Sequence, residues 1–251
     1  KTNLATRADR IQKNKSKISY LQVIDNSELK IFLPTLILLM HSIFLQSQKD
    51  TLIYIGDPMC SWCYGFGPEL DKIKAAFPEV PFEMVMGGLR AGGTEKMWEL
   101  KDFLRSHWLE VQKATGQKFN YAILEKNEVL YDTEPACRAV ILAGNLRPEL
   151  KYDFFKAVQE SFYIHNNLPN DIDTYVQIAA GLGIDPETFH KKFIKPQAQL
   201  DAFADFDLAG SMGIQGYPAL IAKIDGKLYL ATSGYQKAER IIKLLENRGL
   251  K

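Results

Sequence analysis

The order of strand and helix patterns is the feature that most constrains this chain. The segment Thr51–Gly56 (TLIYIG) is apolar and β-branched and ends in glycine, which is typical of a buried strand. A helix pattern follows and stops at Pro78, and the alternating segment from Pro81 to Gly88 (PFEMVMGG) predicts a second strand. Strand, helix and strand in this order imply a parallel pair joined by a right-handed crossover.

A long helical block separates these strands from the next ones. From Thr94 to about Met212 the pattern is helical, and its first segment, EKMWELKDFLRSHWLEVQKATG, is predicted to form one amphipathic helix. The side chains predicted to share one face of that helix are Trp98, Phe103, Leu104, Trp108 and Val111. After Gly216 two apolar runs joined by Asp225-Gly226 predict a β-hairpin, and an amphipathic helix closes the chain.

The complete order is therefore β-α-β, a helical block, and β-β-α. This order predicts an α/β protein with a thioredoxin fold and a large all-helical insertion domain. The predicted boundaries are a discontinuous thioredoxin-fold domain at 51–93 and 214–251, with the helical domain at 94–213. Residues 1–50 are expected to form a poorly ordered N-terminal extension.

Composition and charge narrow the classes of partner. The formal net charge is +1 and no long basic run interleaved with aromatics occurs, so no nucleic-acid partner is predicted. The apolar run Ile31–Leu45 is interrupted by Pro34 and His41 and is shorter than the roughly 20 residues of a spanning helix, so no stable membrane span is predicted. A cytoplasmic location is expected, with the periplasm as the alternative if residues 31–45 act as a signal.

Two cysteines lie where the first strand ends and the first helix begins. Free N–H groups at a helix N-terminus stabilise a thiolate, so Cys60 is predicted to be a nucleophile. Cys63 lies one turn further on the same face, is expected to be more buried, and would resolve a mixed disulfide. Cys137 and the four histidines show no zinc-ligand spacing, so no metal site is predicted. Burial of the pair as small core residues remains an alternative.

A redox pair also needs a loop that holds the substrate. The segment GIQGYPAL places Tyr217 and Pro218 just before a predicted strand. A cis Tyr217–Pro218 peptide bond would turn the backbone so that Tyr217 could pair with an extended substrate peptide. An ordinary trans proline at the strand entry is the alternative that these residues leave open.

The motifs DPMCSWCYGF, HWLEVQKATGQKF, DTEPACRAV and GIQGYPAL, in this order, resemble those of the DsbA-like branch of the thioredoxin superfamily. Within that branch they resemble the FrnE-like predicted protein-disulfide isomerases of bacteria. The resemblance extends from Thr51 to the end of the chain. It implies that Cys60 is the nucleophile, that Cys63 is the resolving thiol, that Pro218 is the cis-proline, and that Tyr217 tunes the potential and the grip on substrate.

The resemblance also suggests further site residues. Ser61 and Trp62, between the two cysteines, are predicted to contact substrate, although this dipeptide differs from that of thioredoxin and of the periplasmic oxidase. Both of those relatives carry an acid six residues before the first cysteine, where this chain has Tyr54, while Asp57 lies closer to the pair. The DTEPACRAV helix is expected beside the site, which makes Thr133 and Cys137 accessory candidates, and Asp57 is a third because it lies on the turn close to the cysteines. Cys137 would be a redox accessory, an oxidation target or, as favoured here, a buried small residue.

The predicted function is that of a thiol–disulfide oxidoreductase or protein-disulfide isomerase that acts through a mixed disulfide. Its partners would be protein or small-molecule thiols and disulfides. No cofactor is predicted beyond the redox-active disulfide, with glutathione as a candidate co-substrate. Two alternatives remain: a peptide-binding, chaperone-like module, and a glutathione-dependent isomerase or transferase of the kappa type. The intact cysteine pair disfavours the kappa type, which generally has serine at the helix start.

Overall fold

The computed structural model describes residues 49–251. The predicted extension, apart from its last two residues, and the apolar run Ile31–Leu45 lie outside the described residues. The described part contains a four-stranded sheet and eight α-helices. This is the predicted thioredoxin-like fold with a helical insertion, and the fold class is confirmed. Its division into two domains stays a prediction.

The sheet has the strand order β2-β1-β3-β4. The strands are β1 Thr51–Gly56, β2 Phe82–Met86, β3 Ala219–Ile224 and β4 Lys227–Ser233. Strand β1 is parallel to β2 and antiparallel to β3, which in turn is antiparallel to β4. Asp225 and Gly226 join β3 to β4 with φ angles of 50° and 76°, so the predicted two-residue hairpin is confirmed.

Helix α1 follows β1, six helices lie between β2 and β3, and the last helix follows β4. Their bounds are α1 Ser61–Ala76, α2 Lys101–Thr115, α3 Glu134–Leu146, α4 Lys151–Tyr163, α5 Ile172–Gly181, α6 Pro186–Phe193, α7 Pro196–Ser211 and α8 Ala238–Glu246. Three short 3₁₀ segments, Met97–Leu100, Tyr121–Glu125 and Pro148–Leu150, connect elements of the inserted block.

Strand β1 is buried on both faces, which explains why its sequence is apolar without alternation. Leu52 and Tyr54 face the main core, which is shared by α1, α8 and the inserted helices. Ile53 and Ile55 face a smaller apolar cluster that includes Ala209 of α7. Strand β1 is therefore enclosed by helices on either side, and its C-terminal end leads into the turn before the cysteine pair.

The predicted helix around Trp98 is only partly correct. Leu104, Trp108 and Val111 are buried as predicted, but Trp98 and Phe103 are 41% and 66% exposed. Trp98 belongs to a separate 3₁₀ segment, so its spacing does not continue into α2. Phe103 precedes Leu104 by one position and is therefore rotated by about 100° from the buried stripe. Its ring stacks instead on His107, with 5.7 Å between the ring centroids.

A buried carboxylate fastens α8 to α1. Glu69 of α1 accepts a hydrogen bond from the backbone amide of Ala238, the first residue of α8, at 2.8 Å. The α8 N-cap residue Lys237 provides no side-chain cap of its own, and its ammonium lies 3.2 Å from Glu69. Burial by itself would raise the pKa of Glu69, but the Ala238 amide and the ammonium groups of Lys237 and Lys72 lower it overall. Glu69 therefore caps a helix that is remote in sequence.

Candidate active site

Cys60 lies at the N-terminal end of α1, directly after the turn that leaves β1. It has extended backbone angles, φ −84° and ψ 116°, and occupies the N-cap position of the helix. Its amide donates to the Asp57 carbonyl at 3.1 Å, and its side chain is largely buried. Cys63, in the first turn of α1, is fully buried. All three cysteines of the chain are free thiols in the structure.

The predicted substrate loop packs directly against Cys60. The Cys60 thiol donates to the Tyr217 carbonyl at 3.6 Å, although the two residues are 157 positions apart in sequence. The Tyr217–Pro218 peptide bond is cis, in agreement with the sequence-based expectation. Residues Cys60, Tyr217 and Pro218 are thus brought together at the carboxyl end of β1.

Gly87 fixes the position of Tyr217 and was not identified from the sequence. The Tyr217 hydroxyl donates to the Gly87 carbonyl at 2.6 Å. A Cβ atom at position 87 would lie 2.1 Å from the Tyr217 ring, so no side chain fits there. The double glycine after β2 was visible in the sequence, but only the tertiary contact reveals its function.

The environment of Cys63 favours the neutral thiol. Burial raises its pKa well above the ordinary value, and the neighbouring Cys60 raises it further. The backbone amide of Asp57 and the Tyr54 side chain act in the opposite direction. Cys63 is therefore a neutral thiol near pH 7 in these surroundings.

The three accessory candidates meet in one buried network. The two Asp57 carboxylate oxygens accept from the amides of Met59 and Leu89 at 2.8 and 2.7 Å, and the Cys137 thiol donates to Asp57 at 3.4 Å. Burial raises the pKa of Asp57, while the Thr133 hydroxyl and the other donors oppose this increase. The network ties the β1–α1 turn to the loop after β2 and to the start of α3.

Cys137 and Thr133 contribute to this network in different ways. Cys137 is fully buried in α3, and burial followed by the Asp57 charge raises its thiol pKa well above the ordinary value. Thr133 stands at the N-cap of α3 but does not cap it, because its hydroxyl oxygen accepts from the Arg90 amide at 3.1 Å. Both side chains lie beside the cysteine turn, and their accessory roles stay predictions.

The dipeptide between the cysteines has one inward and one outward residue. Ser61 is buried, whereas Trp62 is partly buried and packs against His107 and Tyr235, with ring centroids 6.0 and 5.9 Å apart. Trp62 thus contributes to an aromatic surface next to Cys60. The contact of Ser61 and Trp62 with substrate, which the sequence led us to expect, stays a prediction.

Two tyrosines of the inserted block hold the cysteine turn, and no local sequence pattern revealed them. The hydroxyls of Tyr131 and Tyr163 both donate to the Met59 carbonyl, at 3.3 and 2.7 Å. Since Met59 immediately precedes Cys60, the helical insertion sets the position of the nucleophile candidate.

Two further findings concern the described part of the chain alone. Within residues 49–251 no group of three or more His, Cys, Asp or Glu side chains is placed to hold a metal ion. In the same range no helix is long and apolar enough to cross a membrane.

Comparison with known proteins defines the class. Residues 51–246 match the family model of the DSBA-like thioredoxin domain, and the chain belongs to this family. A structure described as a "putative protein disulfide isomerase" from Nitrosomonas europaea is 33% identical, with a TM-score of 0.72 over 79% of this chain and 97% of that one. The cytosolic disulfide reductase DsbM from Pseudomonas aeruginosa shares the fold at 22% identity, with a TM-score of 0.66 over 79% and 98% of the two chains. A search of curated proteins gives no match.

The family and the fold together establish the activity at a coarse level. The chain is a thiol–disulfide oxidoreductase of the DsbA-like kind, and its substrates are thiols and disulfides.

Proposed function

We propose that the chain exchanges disulfides through Cys60 and Cys63, with Cys60 as the nucleophile and Cys63 as the resolving thiol. The observation that carries this proposal is the asymmetry of the pair. Cys60 stands at the helix start beside the Tyr217 carbonyl, whereas Cys63 is fully buried one turn behind it. Cys60 keeps 5% exposure and Cys63 has none, so a substrate sulfur would reach Cys60 first.

The reaction has two exchange steps. In the reducing direction the Cys60 thiolate attacks one sulfur of a substrate disulfide, forms a mixed disulfide and expels the other sulfur as a thiolate. Cys63 then loses its proton and attacks the Cys60 sulfur, which releases the second substrate thiolate and leaves a Cys60–Cys63 disulfide. Two electrons pass from the pair to the substrate, and the released thiolates take up protons. The same steps in reverse oxidise a substrate dithiol.

The Tyr217–Pro218 loop supports a polypeptide substrate. Its backbone lies against Cys60, so an extended chain bound there would present a disulfide sulfur to the thiolate. The similarity to a protein described as a disulfide isomerase, at 33% identity, supports the same substrate class. Trp62, Tyr217 and Pro218 are proposed to contact this substrate, glutathione is the proposed small-molecule co-substrate, and the cytoplasm is the proposed compartment.

Two cysteine variants test the proposal in an insulin-reduction assay. Cys60→Ser is expected to abolish turnover, because no nucleophile remains at the helix start. Cys63→Ser is expected to form a mixed disulfide with substrate that persists and is detected by mass spectrometry. Full activity of Cys60→Ser would refute the proposal. The peptide-binding alternative instead predicts that suppression of substrate aggregation survives the loss of both thiols.

A further inference from the structure

The carbonyl of Met59 accepts hydrogen bonds from two buried tyrosine hydroxyls at once. The Tyr163 hydroxyl donates to it at 2.7 Å and the Tyr131 hydroxyl at 3.3 Å. Burial is the main cause of the raised pKa of both hydroxyls, which therefore keep their protons near pH 7 and act as donors. One donor already satisfies a buried carbonyl, so the presence of a second one needs an explanation.

Each donor is held in place by contacts outside the cysteine turn. Tyr131 carries the Arg90 guanidinium over its ring at 5.0 Å, and its amide donates to the Glu95 carbonyl at 2.9 Å. Tyr163 is the last residue of α4. Its ring packs against four aromatic side chains at centroid distances of 4.8 to 5.1 Å: Tyr64, Trp108, Phe119 and Phe162. The two hydroxyls are thus fixed by this packing, and the carbonyl is oriented by them.

The peptide unit that joins Met59 to Cys60 is held from its other end by Asp57. The Cys60 amide donates to the Asp57 carbonyl at 3.1 Å, and the Met59 amide donates to the Asp57 carboxylate at 2.8 Å. The orientation of this peptide determines the φ angle of Cys60, which is −84°. It therefore decides where the Cys60 sulfur lies relative to the start of α1 and to the Tyr217 carbonyl.

The two hydroxyls also affect the charge that Cys60 develops. The Met59 carbonyl oxygen carries a partial negative charge and belongs to the residue directly before Cys60, so without donors it opposes a thiolate there. The hydroxyl protons point at this oxygen and offset its charge, in a buried site where charges are weakly screened. Donors held in advance beside a developing charge stabilise it without any rearrangement.

We propose that Tyr131 and Tyr163 are positioning residues for the exchange at Cys60, and that their hydroxyls stabilise its thiolate by holding and polarising the Met59 carbonyl. This inference rests on the proposed function. The thiolate exists only in the reduced pair, since Cys60 is uncharged in the disulfide, so the two hydroxyls stabilise the reduced protein more than the oxidised one. Their loss therefore makes the pair easier to oxidise and lowers its reduction potential.

The equilibrium with glutathione measures this effect. The two thiols of the pair reduce one oxidised glutathione to two reduced ones and form the Cys60–Cys63 disulfide, and the trapped mixture is quantified by mass spectrometry. Tyr163→Phe keeps the ring and is expected to shift this equilibrium about fivefold towards the oxidised pair, a potential lower by roughly 20 mV. Tyr131→Phe loses the longer bond, and a shift of about twofold is expected. In the double variant neither donor remains to compensate for the other, so the shift should exceed the product of the two.

A matched control lies at the other end of the same helix. Tyr152, in the first turn of α4, is buried, and its hydroxyl donates to the Asp71 carboxylate at 2.8 Å. Tyr152→Phe therefore also deletes a hydrogen-bonded hydroxyl from α4. It is expected to lower the thermal midpoint and to leave the glutathione equilibrium unchanged.

The outcomes distinguish this inference from the function on which it rests. A wild-type equilibrium in Tyr163→Phe and in the double variant overturns the inference, even if their thermal midpoints fall, because the hydroxyls then serve stability alone. An equal shift in Tyr152→Phe overturns it as well, and so does a double variant that shifts no further than the product. If Tyr163→Phe does not fold, an unshifted equilibrium in Tyr131→Phe overturns it. If Cys60→Ser still exchanges with glutathione like wild type, the proposed function fails, whatever the tyrosine variants show.

Discussion

Replacement of Glu69 by glutamine tests whether one buried carboxylate holds α8 against α1. The Glu69 side chain is 6% exposed, and the Ala238 amide donates to it at 2.8 Å. Lys72 and Lys237 also contact it, but both side chains are more than half exposed, so these ion pairs contribute little to stability. Glutamine keeps an acceptor oxygen and loses the charge. The free energy of unfolding is therefore expected to fall by about 1 kcal/mol at pH 7, the difference between a charged and a neutral hydrogen bond.

The pH dependence separates this charge effect from a packing effect. The pKa of Glu69 is lower in the folded protein than in the unfolded chain. Its stabilising effect is thus complete above the unfolded value and is lost as the pH falls through the lowered folded value. The free energies of unfolding of wild type and Glu69→Gln, measured in urea, should therefore differ at pH 7, and this difference should shrink steadily below about pH 5.

A matched control is available near the same ion pairs. Glu239 lies 3.9 Å from Lys72 but is 74% exposed, so Glu239→Gln is expected to change the free energy of unfolding by less than about 0.5 kcal/mol. If the free energy of unfolding of Glu69→Gln stays below that of wild type by a constant amount down to pH 3, the reasoning is refuted. Equal losses in the two variants would refute it as well.

The remaining predictions concern the surroundings of the cysteine pair. Gly87→Ala is expected to displace the Tyr217 ring, which would lie 2.1 Å from the new methyl group, and to lower kcat/KM for insulin reduction by at least about tenfold. Gly67→Ala in α1 meets no atom within 4 Å and is expected to keep wild-type kcat/KM, so similar losses in the two variants would contradict this reasoning. Cys137→Ala is expected to keep wild-type insulin reduction and to lower the free energy of unfolding by about 1 kcal/mol, because a small buried side chain and its contact with Asp57 are lost. Loss of turnover in a stable Cys137→Ala protein would instead assign this thiol a role in the chemistry.

The local elements of this fold could be predicted from the sequence because each depends on neighbouring residues. Strand β1, the hairpin at Asp225 and Gly226, and the helix that begins after Cys60 have local signals of composition and turn chemistry. The cysteine pair and Pro218 could also be identified from the sequence, because each lies in a short local motif beside a predicted strand. The prediction that Trp98 and Phe103 share the buried face of the helix was wrong. Trp98 lies in a separate 3₁₀ segment, and Phe103, one position before the buried stripe, faces outward.

The parts of the site that could not be predicted arise from contacts between distant segments. No local pattern indicates that Tyr131 and Tyr163 hold the Met59 carbonyl, or that Glu69 caps a helix 169 positions away. Gly87 likewise acquires its role only when the Tyr217 ring comes close to it. These contacts require the assembled fold, in which burial and directed hydrogen bonds decide what each side chain does.

The contact between Cys60 and Tyr217 has a consequence for the protein during its synthesis. Because 157 positions separate the two residues, the ribosome needs roughly eight to thirty seconds to make the second one after the first. During this interval β1 has no β3 to pair with, and the Cys60 thiol lacks the loop that covers it in the finished molecule. The nascent chain thus presents the proposed nucleophile before the proposed substrate loop exists. A reducing environment, or a bound chaperone, is what would keep that thiol from premature oxidation while the C-terminal strands are still being made.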